Sequence, residues 1–573
     1  MAESSLVTDR PRALVDALVA AAPRYSPEDR GAKLRLLALL AGRALGDPGL
    51  LLRFHEALGF LQAYPDDRQV LEQVDRALVA FPARVDRLRP AALARLHDSG
   101  IVGTTLDYPF GLPMARWLAE RLPNDADVAW EEYEGTDQLE EALALLVTPV
   151  EEGAFDFGGL EWRQWLRIAK AGRPLSDFQL ILELLERSVL PEEMREWVFE
   201  RLGLPIRVWL RGPGLSRTMA KLPWPRPFYH RAGLRRGSVD LAREVRRPLP
   251  VQHRVPRPLA ESLIEAARAA MLTRFRELHA FSYANADDVL VADVGRGLRV
   301  VLIGILPRYR FPMEGYYAFL ALKNGVPLGY GGGCHLFGTL DFAGNIFPSF
   351  RQGESALIFA QVARAFCQAM GVSTVVVDPY QIGHGNVEAL RSGAFYFYHR
   401  LGFRPRDPEV VRLCEEELAK IARDRSYRSP LPVLRRLARA ELYLVLPGGS
   451  PEPEKRIRAS QVAGLVSRYV AREFGGDRRA AAREAAARVG RALGVPGWRA
   501  WPADERQAFE RLAPVAALIP DLARWPAADR RRLVRVFRAK GGRSELRYVK
   551  LLDDHGRFRA SLEALAAAAS TEG

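Results

Sequence analysis

Several features are scarce in this sequence, and each scarcity excludes a class of protein. Only three cysteines are present, Cys334, Cys367 and Cys414, and no C-x-x-C pair occurs. A disulfide framework and a thiolate zinc site are therefore excluded, and a reduced, cytoplasmic setting is expected. No apolar run reaches the length of a transmembrane helix, and the opening MAESSLVTDRPR lacks the apolar core of a secretory signal. We expect a cytoplasmic protein with no membrane partner.

Two kinds of ligand motif are also missing. Histidines such as His384 and His399 have no Cys, Asp or second His at ligand spacing, so no metal site is expected. The consecutive glycines Gly331, Gly332 and Gly333 follow a strand-like run and open no helix, which excludes a dinucleotide-binding loop. These glycines predict a bulge or a splayed strand instead.

The length of 573 residues predicts about three or four domains, and the 48% hydrophobic content is enough for real cores. Residues 1–205 are mostly amphipathic helices without a fixed repeat, which predicts a helical domain. Residues 258–448 combine strands and helices, and residues 451–573 are helical again. We predict an α/β fold with a mixed sheet in the central domain, flanked by helical N- and C-terminal domains.

The segment 206–257 is rich in proline and arginine and cannot form one long regular element. One interpretation is an extended linker that wraps the central domain. The other is a phosphate-contacting arm, in which its arginines and aromatic residues meet nucleic acid or the 3′-phosphate of a cofactor.

The C-terminal region 451–573 is strongly basic. It contains 25 lysines and arginines against 15 aspartates and glutamates, so +10 of the net charge of +14 lies there. Its densest part, DRRRLVRVFRAKGGRSELRYVK, places Arg531, Arg535 and Arg538 along one helix. Such asymmetry favours a polyanionic partner, with nucleic acid as one possibility. The alternative is an ordinary amphipathic helix in an arginine-rich protein.

The stretch from Phe350 to Phe403 carries the strongest pattern. Apolar residues at helical spacing follow Gly353, and Gly371 ends the run. The first turn of such a helix presents unpaired backbone N–H groups and the positive end of the helix dipole, which suit a phosphate. STVVVDP then predicts a buried parallel strand, and Asn386 is placed to cap a second helix.

The preceding segment predicts antiparallel strands. VLVADV and LRVVLIGILP have strand character, and two apolar runs flank Asn324-Gly325, a dipeptide typical of a two-residue hairpin. After Phe403, a charged helix and the strand ELYLVL complete the layer. Early strands are thus expected to be antiparallel, and the later one parallel beside its helix.

Because of these residues and their order, the segment of about 258–448 resembles the cofactor-binding part of the GNAT superfamily of N-acetyltransferases. In that family a turn written Q/R-x-x-G-x-G/A binds the pyrophosphate of coenzyme A through backbone amides. The matching window here begins at Phe350, and its central Gly matches strictly. The resemblance implies an acyl-CoA co-substrate, such as acetyl-CoA, held by the following residues: Arg351, Gln352, Gly353, Glu354 and Ser355.

The resemblance also implies roles for two further residues. Asn386 stands where the family places an Asn near the pantetheine arm, and Tyr398 stands where it places a Tyr near the thioester sulfur. Tyr398 is the expected general acid, while Glu314 is a candidate general base, with Glu354 and His335 as others. The expected function is N-acyl transfer to an unidentified acceptor. An aminoacyl-tRNA-dependent transferase and a catalytically silent scaffold are the alternatives.

Overall fold

The computed structural model describes residues 10–156, 159–212, 214–252 and 255–571, and the chain forms two compact units. The first unit contains Met1–Leu234, Ile264–Ser282 and Lys323–Pro327, and the second contains Arg235–Leu263, Tyr283–Leu322 and Leu328–Gly573. The second unit therefore includes both the strands of the central segment and the basic C-terminal helices. The N-terminal residues that bear on a secretory signal lie largely outside the described residues.

The chain up to residue 209 is mostly helical, with three short strands. Its elements are α1 (Pro11–Ala21), α2 (Pro27–Ala41), α3 (Pro48–Ala63), α4 (Arg68–Val79), α5 (Phe81–Val85), α6 (Pro90–Ala94), β1 (Thr105–Tyr108), α7 (Leu112–Arg121), β2 (Ala126–Val128), α8 (Thr136–Ala144), α9 (Pro149–Asp156), α10 (Trp162–Lys170), α11 (Asp177–Arg187), α12 (Glu192–Leu202) and β3 (Ile206–Trp209).

The three strands form an antiparallel sheet in the order β1-β3-β2. In β3 the side chains of Ile206 and Val208 are buried. Arg207, which lies between them, and Trp209, which follows them, are partly exposed. This period of two is the strand pattern, and it explains why IRVW pairs with β1 and β2. The segment expected to be a linker thus begins with a strand, and the N-terminal region contains a small sheet beside its helices.

From residue 235 onward, helices and strands alternate before a purely helical end. The elements are α13 (Leu241–Glu244), β4 (Val251–Gln252), α14 (Arg257–Leu272), α15 (His279–Ser282), β5 (Ala284–Gly295), β6 (Leu298–Ile305), β7 (Gly315–Lys323), β8 (Val326–Leu336), β9 (Thr339–Ile346), α16 (Ser355–Met370), β10 (Thr374–Val377), α17 (Pro379–Ile382), α18 (Val387–Ser392), α19 (Ala394–Arg400), β11 (Arg404–Pro405), α20 (Pro408–Arg423), α21 (Leu431–Leu437), β12 (Leu442–Val445), α22 (Ala459–Phe474), α23 (Arg478–Leu493), α24 (Ala503–Ala517), α25 (Ala527–Lys540), α26 (Glu545–Asp553) and α27 (Gly556–Thr571).

These strands form one mixed sheet in the order β11-β12-β10-β9-β8-β7-β6-β5-β4. Strands β5 and β6 pair antiparallel, as do β8 and β9, whereas β9 and β10 pair parallel across helix α16. Asn324 and Gly325 both have positive φ angles, as the predicted two-residue turn requires. The predicted mixed α/β character of this region is confirmed.

The three glycines of β8 cause no bulge in its pairing with β9, contrary to the prediction. β8 and β9 pair in an unbroken register from Gly329 to Leu336. A Cβ on Gly331 would collide with the Phe319 ring and with the backbone of Ala343, and one on Gly332 would collide with Tyr316. Glycine is therefore needed because aromatic rings lie directly against the strand backbone.

Aromatic rings also form the core on the face of the sheet that α16 covers. Phe342 of β9 lies 5.8 Å from Phe319 of β7 and 5.8 Å from Phe366 of α16, measured between ring centroids. Phe359, also on α16, lies 5.0 Å from Phe342. Stacked and edge-on contacts of this kind stabilise a core beyond the apolar area that they bury.

Among the described residues, no helix is both long enough and apolar enough to cross a membrane.

Candidate functional site

The parallel strands β9 and β10 separate soon after they begin. Their pairing covers only Thr339–Asp341 against Thr374–Val376, yet β9 continues for five more residues, to Ile346. Residues 343–346 are partly exposed, although β7 in the same sheet is buried throughout. The carboxyl-terminal half of β9 therefore borders an opening, and its backbone N–H and C=O groups on that side have no β10 partner among the described residues.

The predicted phosphate turn lies at the end of this opening. A short 3-10 turn, Pro348–Phe350, leads from β9 to residues 351–354, and helix α16 begins at Ser355, close to the predicted start near Gly353. Gly353 is buried, and its N–H donates to the carbonyl of Phe350 (2.9 Å). The Ser355 hydroxyl donates to the Arg351 carbonyl (3.0 Å). Because ligands of sheet proteins commonly bind beyond the carboxyl ends of strands, this turn occupies a favourable position.

Arg351 lies across the mouth of the opening. Its guanidinium donates to the carbonyl of Ile346 (3.0 Å), to the side-chain oxygen of Asn345 (3.2 Å) and to the carboxylate of Glu388 on α18 (2.7 Å). The side chain is exposed, and Arg351 thereby links the end of β9 to the second helical segment. A cation at this point would meet any anionic ligand that enters beside β9.

Two arginines of the Pro/Arg-rich segment lie on the same turn. The backbone N–H of Arg235 donates to a carboxylate oxygen of Glu354 (3.0 Å), and the guanidinium of Arg236 donates to the carbonyl of Gln352. Arg296, in the β5–β6 turn, donates to the same oxygen of Glu354 (3.0 Å). Glu354 is only 2% exposed. Its negative charge is therefore balanced by Arg296, and the exposed side chains of Arg235 and Arg236 add positive charge around the turn.

Two polar residues after β10 serve as helix caps. The side-chain oxygen of Asn386 accepts from the N–H of Ala389 (3.1 Å), so Asn386 caps α18 as predicted. Asp378 caps α17 by accepting from the N–H of Tyr380 (2.8 Å). Each cap satisfies a backbone donor at the start of its helix. The side-chain NH2 group of Asn386 is the part of that residue that could meet a ligand.

Tyr398 is a buried aromatic residue of α19. It is 4% exposed, and its ring lies 5.3 Å from Phe359 and 5.6 Å from Phe403. Burial raises the pKa of its hydroxyl. The hydroxyl therefore stays protonated at neutral pH. Because Phe359 is only four residues into α16, Tyr398 lies about one helical turn from the start of that helix.

Glu314 lies elsewhere on the sheet. Burial raises the pKa of its carboxyl group, and Lys540 counteracts this effect. Burial is the largest cause of the raised pKa of the Cys334 thiol, and the negative charge of Glu314 raises that pKa further. Cys334 pairs with Asp341, so Glu314 is near the beginning of β9, about 17 Å of strand from its end at Ile346.

The two predicted catalytic residues also lie toward opposite faces of β9. The ring of Tyr398 contacts the ring of Phe359, and Phe359 in turn contacts Phe342 of β9. Phe342 follows Asp341 directly, and consecutive residues of a strand point to opposite faces. Glu314 therefore lies on the face of β9 to which Asp341 points, and Tyr398 lies on the face to which Phe342 points. Glu314 thus lies away from the turn and from Tyr398, and the catalytic roles expected of the two residues stay predictions.

His335 is a buried neighbour of Asp553. Its Nε2 atom lies 3.3 Å from a carboxylate oxygen of Asp553, whose other oxygen accepts from the N–H of Gly338 (3.2 Å). Burial lowers the pKa of His335 to about 4 and raises the pKa of Asp553 to about 7. Gly338 connects β8 to the start of β9, so this pair also lies away from the turn.

No local sequence pattern distinguishes Arg235, Arg236 and Arg296 as site residues. The Pro/Arg-rich composition of 206–257 did suggest a phosphate-contacting arm, but it did not indicate which arginines reach the turn. Arg296 carried no local signal other than its place in a tight turn. Among the described residues, no group of three or more His, Cys, Asp or Glu side chains is arranged to hold a metal ion.

No protein-family model, curated protein or solved structure matches this chain.

Proposed function

We propose that the second unit transfers an acyl group, such as acetyl, from acyl-coenzyme A to an amine acceptor by direct attack. The proposal extends the resemblance to GNAT acyltransferases that residues 258–448 show in sequence. It is supported by the mixed sheet, in which the parallel pair β9 and β10 flanks helix α16. This is the arrangement expected of an acyltransferase of this kind.

One observation carries the proposal: the opening beside β9 ends at a turn surrounded by positive charge. The guanidinium groups at the turn are those of Arg236, Arg296 and Arg351, and the acids beside them are Glu354 and Glu388. Three arginines against two carboxylates leave an excess of positive charge for the phosphates of coenzyme A. Arginine binds phosphate oxygens in bidentate geometry, which strengthens such contacts.

The opening itself suits the pantetheine arm. That arm is a narrow chain with two amide groups. Residues 343–346 of β9, apart from the Ile346 carbonyl that Arg351 already contacts, offer backbone donors and acceptors on the side where β10 has separated. Amide groups of the ligand would satisfy these backbone groups as another strand would. The phosphates would then lie at residues 351–354 and the thioester further along β9, toward Phe342 and Phe359.

In the proposed reaction, the amine nitrogen attacks the thioester carbonyl carbon, and the carbon–sulfur bond then breaks. The nitrogen loses a proton to solvent, and the leaving thiolate gains one from a protein donor, so that an amide and a free thiol are formed. Tyr398 is assigned as the proton donor, because it stands where the family that the segment resembles places a tyrosine near the thioester sulfur. Glu314 is not assigned as the base, because it lies near the opposite end of β9.

An aminoacyl-tRNA-dependent transferase is the second candidate. The basic C-terminal helices favour it, since an RNA-linked donor would present many phosphates to them. A catalytically silent binding protein is the third possibility. The three differ in the acyl donor: an acyl-CoA that binds at the turn, an aminoacyl-tRNA whose RNA binds at the basic helices, or no donor at all.

Calorimetric titration with acetyl-CoA and longer acyl-CoA species tests the proposal. Saturable binding is expected for the unaltered protein and its loss for Gly353→Trp, while Gly464→Trp, at an open helical position, serves as the matched control. Arg236→Gln is a milder variant at an exposed side chain and should weaken binding without affecting folding. Absence of binding to the unaltered protein would refute the acyl-CoA proposal.

A further inference from the structure

Helix α25 carries a row of arginines on its solvent side. Arg531, Arg535 and Arg538 follow one another at spacings of four and three residues, so they share one face of the helix. Arg532 lies beside them, and all four side chains are exposed. The opposite face holds the buried residues Leu533, Val536 and Phe537. The row is therefore fixed by the packing of the helix, and is not part of a loose tail.

Most of this row has no carboxylate to neutralise it. Arg538 pairs with Glu505 at 2.5 Å, but Arg531, Arg532 and Arg535 have no ion-pair partner in the part of the chain that the structure describes. The sequence contains no acid between Asp529 and Glu545. Like charges four residues apart destabilise a helix, so the repulsion between Arg531 and Arg535 is expected to lower the stability of α25.

The surroundings indicate the chemistry of the partner. A helix that binds a lipid surface places large apolar residues beside its basic ones. Here, large exposed hydrophobic side chains occur up to Leu431, and none is found among the described residues 451–571. The surface thus offers charge without apolar anchors, which favours a polyphosphate chain over a membrane.

We propose that the three arginines of helix α25 that have no ion-pair partner among the described residues, Arg531, Arg532 and Arg535, bind the phosphate backbone of a nucleic acid. Binding of this kind is electrostatic, weakens with salt and depends little on base sequence. It is independent of the acyl-CoA proposal, because the row lies on a different helix from the turn at residues 351–354. Single-stranded RNA, single-stranded DNA and duplex DNA share this chemistry, so the test must separate them.

Fluorescence anisotropy of the full chain with labelled 20-nucleotide RNA, the matching DNA strand and the duplex provides the test. Affinity should fall steeply between about 50 and 200 mM salt. Replacing Arg531, Arg532 and Arg535 together by glutamine should reduce affinity by roughly ten-fold or more, and should lower the slope of log K against log salt by about 2 for a single strand.

The matched control removes the same charge from another helix. Arg478, Arg479 and Arg483 are exposed on α23, and their replacement by glutamine should leave most of the affinity and the slope intact. Equal losses in both triple variants would overturn the proposal, as they would show diffuse attraction. Equal affinity for polyglutamate, or no binding of any nucleic acid at low salt, would also overturn it. Circular dichroism of both variants verifies that they are folded.

Discussion

The ammonium group of Lys540, in α25, donates a 2.6 Å hydrogen bond to the backbone carbonyl of Glu314, at the start of β7. The same group pairs with the carboxylate of Glu545 at 2.5 Å, and both side chains are buried. Burial lowers the pKa of Lys540, although Glu545 counteracts it. Through these bonds the basic C-terminal helices join the core of the sheet.

Breaking this buried pair should destabilise the second unit strongly. Lys540→Met leaves the Glu545 carboxylate without its main partner, and removing one member of a buried ion pair costs about 3–5 kcal/mol. Urea unfolding monitored for the second unit measures this loss. The double variant Lys540→Met/Glu545→Gln should recover part of it, because the uncompensated charge is gone.

The surface pair of Arg538 and Glu505 provides the control. Their side chains are 47% and 21% exposed, so Arg538→Gln should change the free energy of unfolding by less than about 1 kcal/mol. A similar loss in Arg538→Gln and Lys540→Met would contradict the role given to burial.

The glycines of β8 allow a second prediction. Gly331→Ala should cost about 1–3 kcal/mol of unfolding free energy, because the new methyl group would meet the Phe319 ring and the β9 backbone. Gly464→Ala, at an open position in α22, should instead stabilise the protein by about 0.5–1 kcal/mol. The same Gly-to-Ala substitution is thus expected to lower the free energy of unfolding at Gly331 and to raise it at Gly464. Thermal unfolding of both variants measures the difference, and equal effects would refute this account.

His335 and Asp553 predict opposing effects of pH on stability. In the folded protein the pKa of Asp553 is about 7, against an ordinary value of 3.8. Its contribution to stability is thus fully present below about pH 3.8 and is lost as pH rises through 7. The pKa of His335 is about 4, against an ordinary value of 6.5. Its contribution is fully present above about pH 6.5 and is lost as pH falls through 4.

Between pH 4 and 6.5 the two effects should largely cancel in the unaltered protein. In Asp553→Asn only the histidine titrates, so stability should rise across that interval. In His335→Gln only the aspartate titrates, so stability should decline from pH 4 toward pH 7. Denaturant unfolding at several pH values tests both slopes. Identical profiles for the two variants would show that the pair does not titrate as described.

Tyr398→Phe tests the proposed proton donor. Phenylalanine fits the same aromatic pocket beside Phe359 and Phe403, so neither stability nor acyl-CoA affinity should change. The rate of thiol release from acetyl-CoA, measured with a panel of amines, should fall by about 10²–10⁴-fold if Tyr398 protonates the leaving group. An unchanged rate would assign Tyr398 to the core alone.

The sequence by itself determined the local structure of the candidate site. Periodicity and end signals located α16 and the buried strand β10, and Asn386 was recognised as a cap. Asn324-Gly325 gave the hairpin turn. These features depend on nearby residues, on backbone preferences and on burial patterns with a period of 2 or 3.6, which a sequence displays directly.

Only the tertiary structure decided which distant residues meet. It joined Arg236 to Gln352 and Lys540 to Glu314 across more than a hundred residues, and it placed Glu314 and Tyr398 apart. It also showed that the glycines of β8 accommodate rings and not a bulge. Such outcomes depend on strand order, register and the packing of facing elements, and no local pattern specifies them.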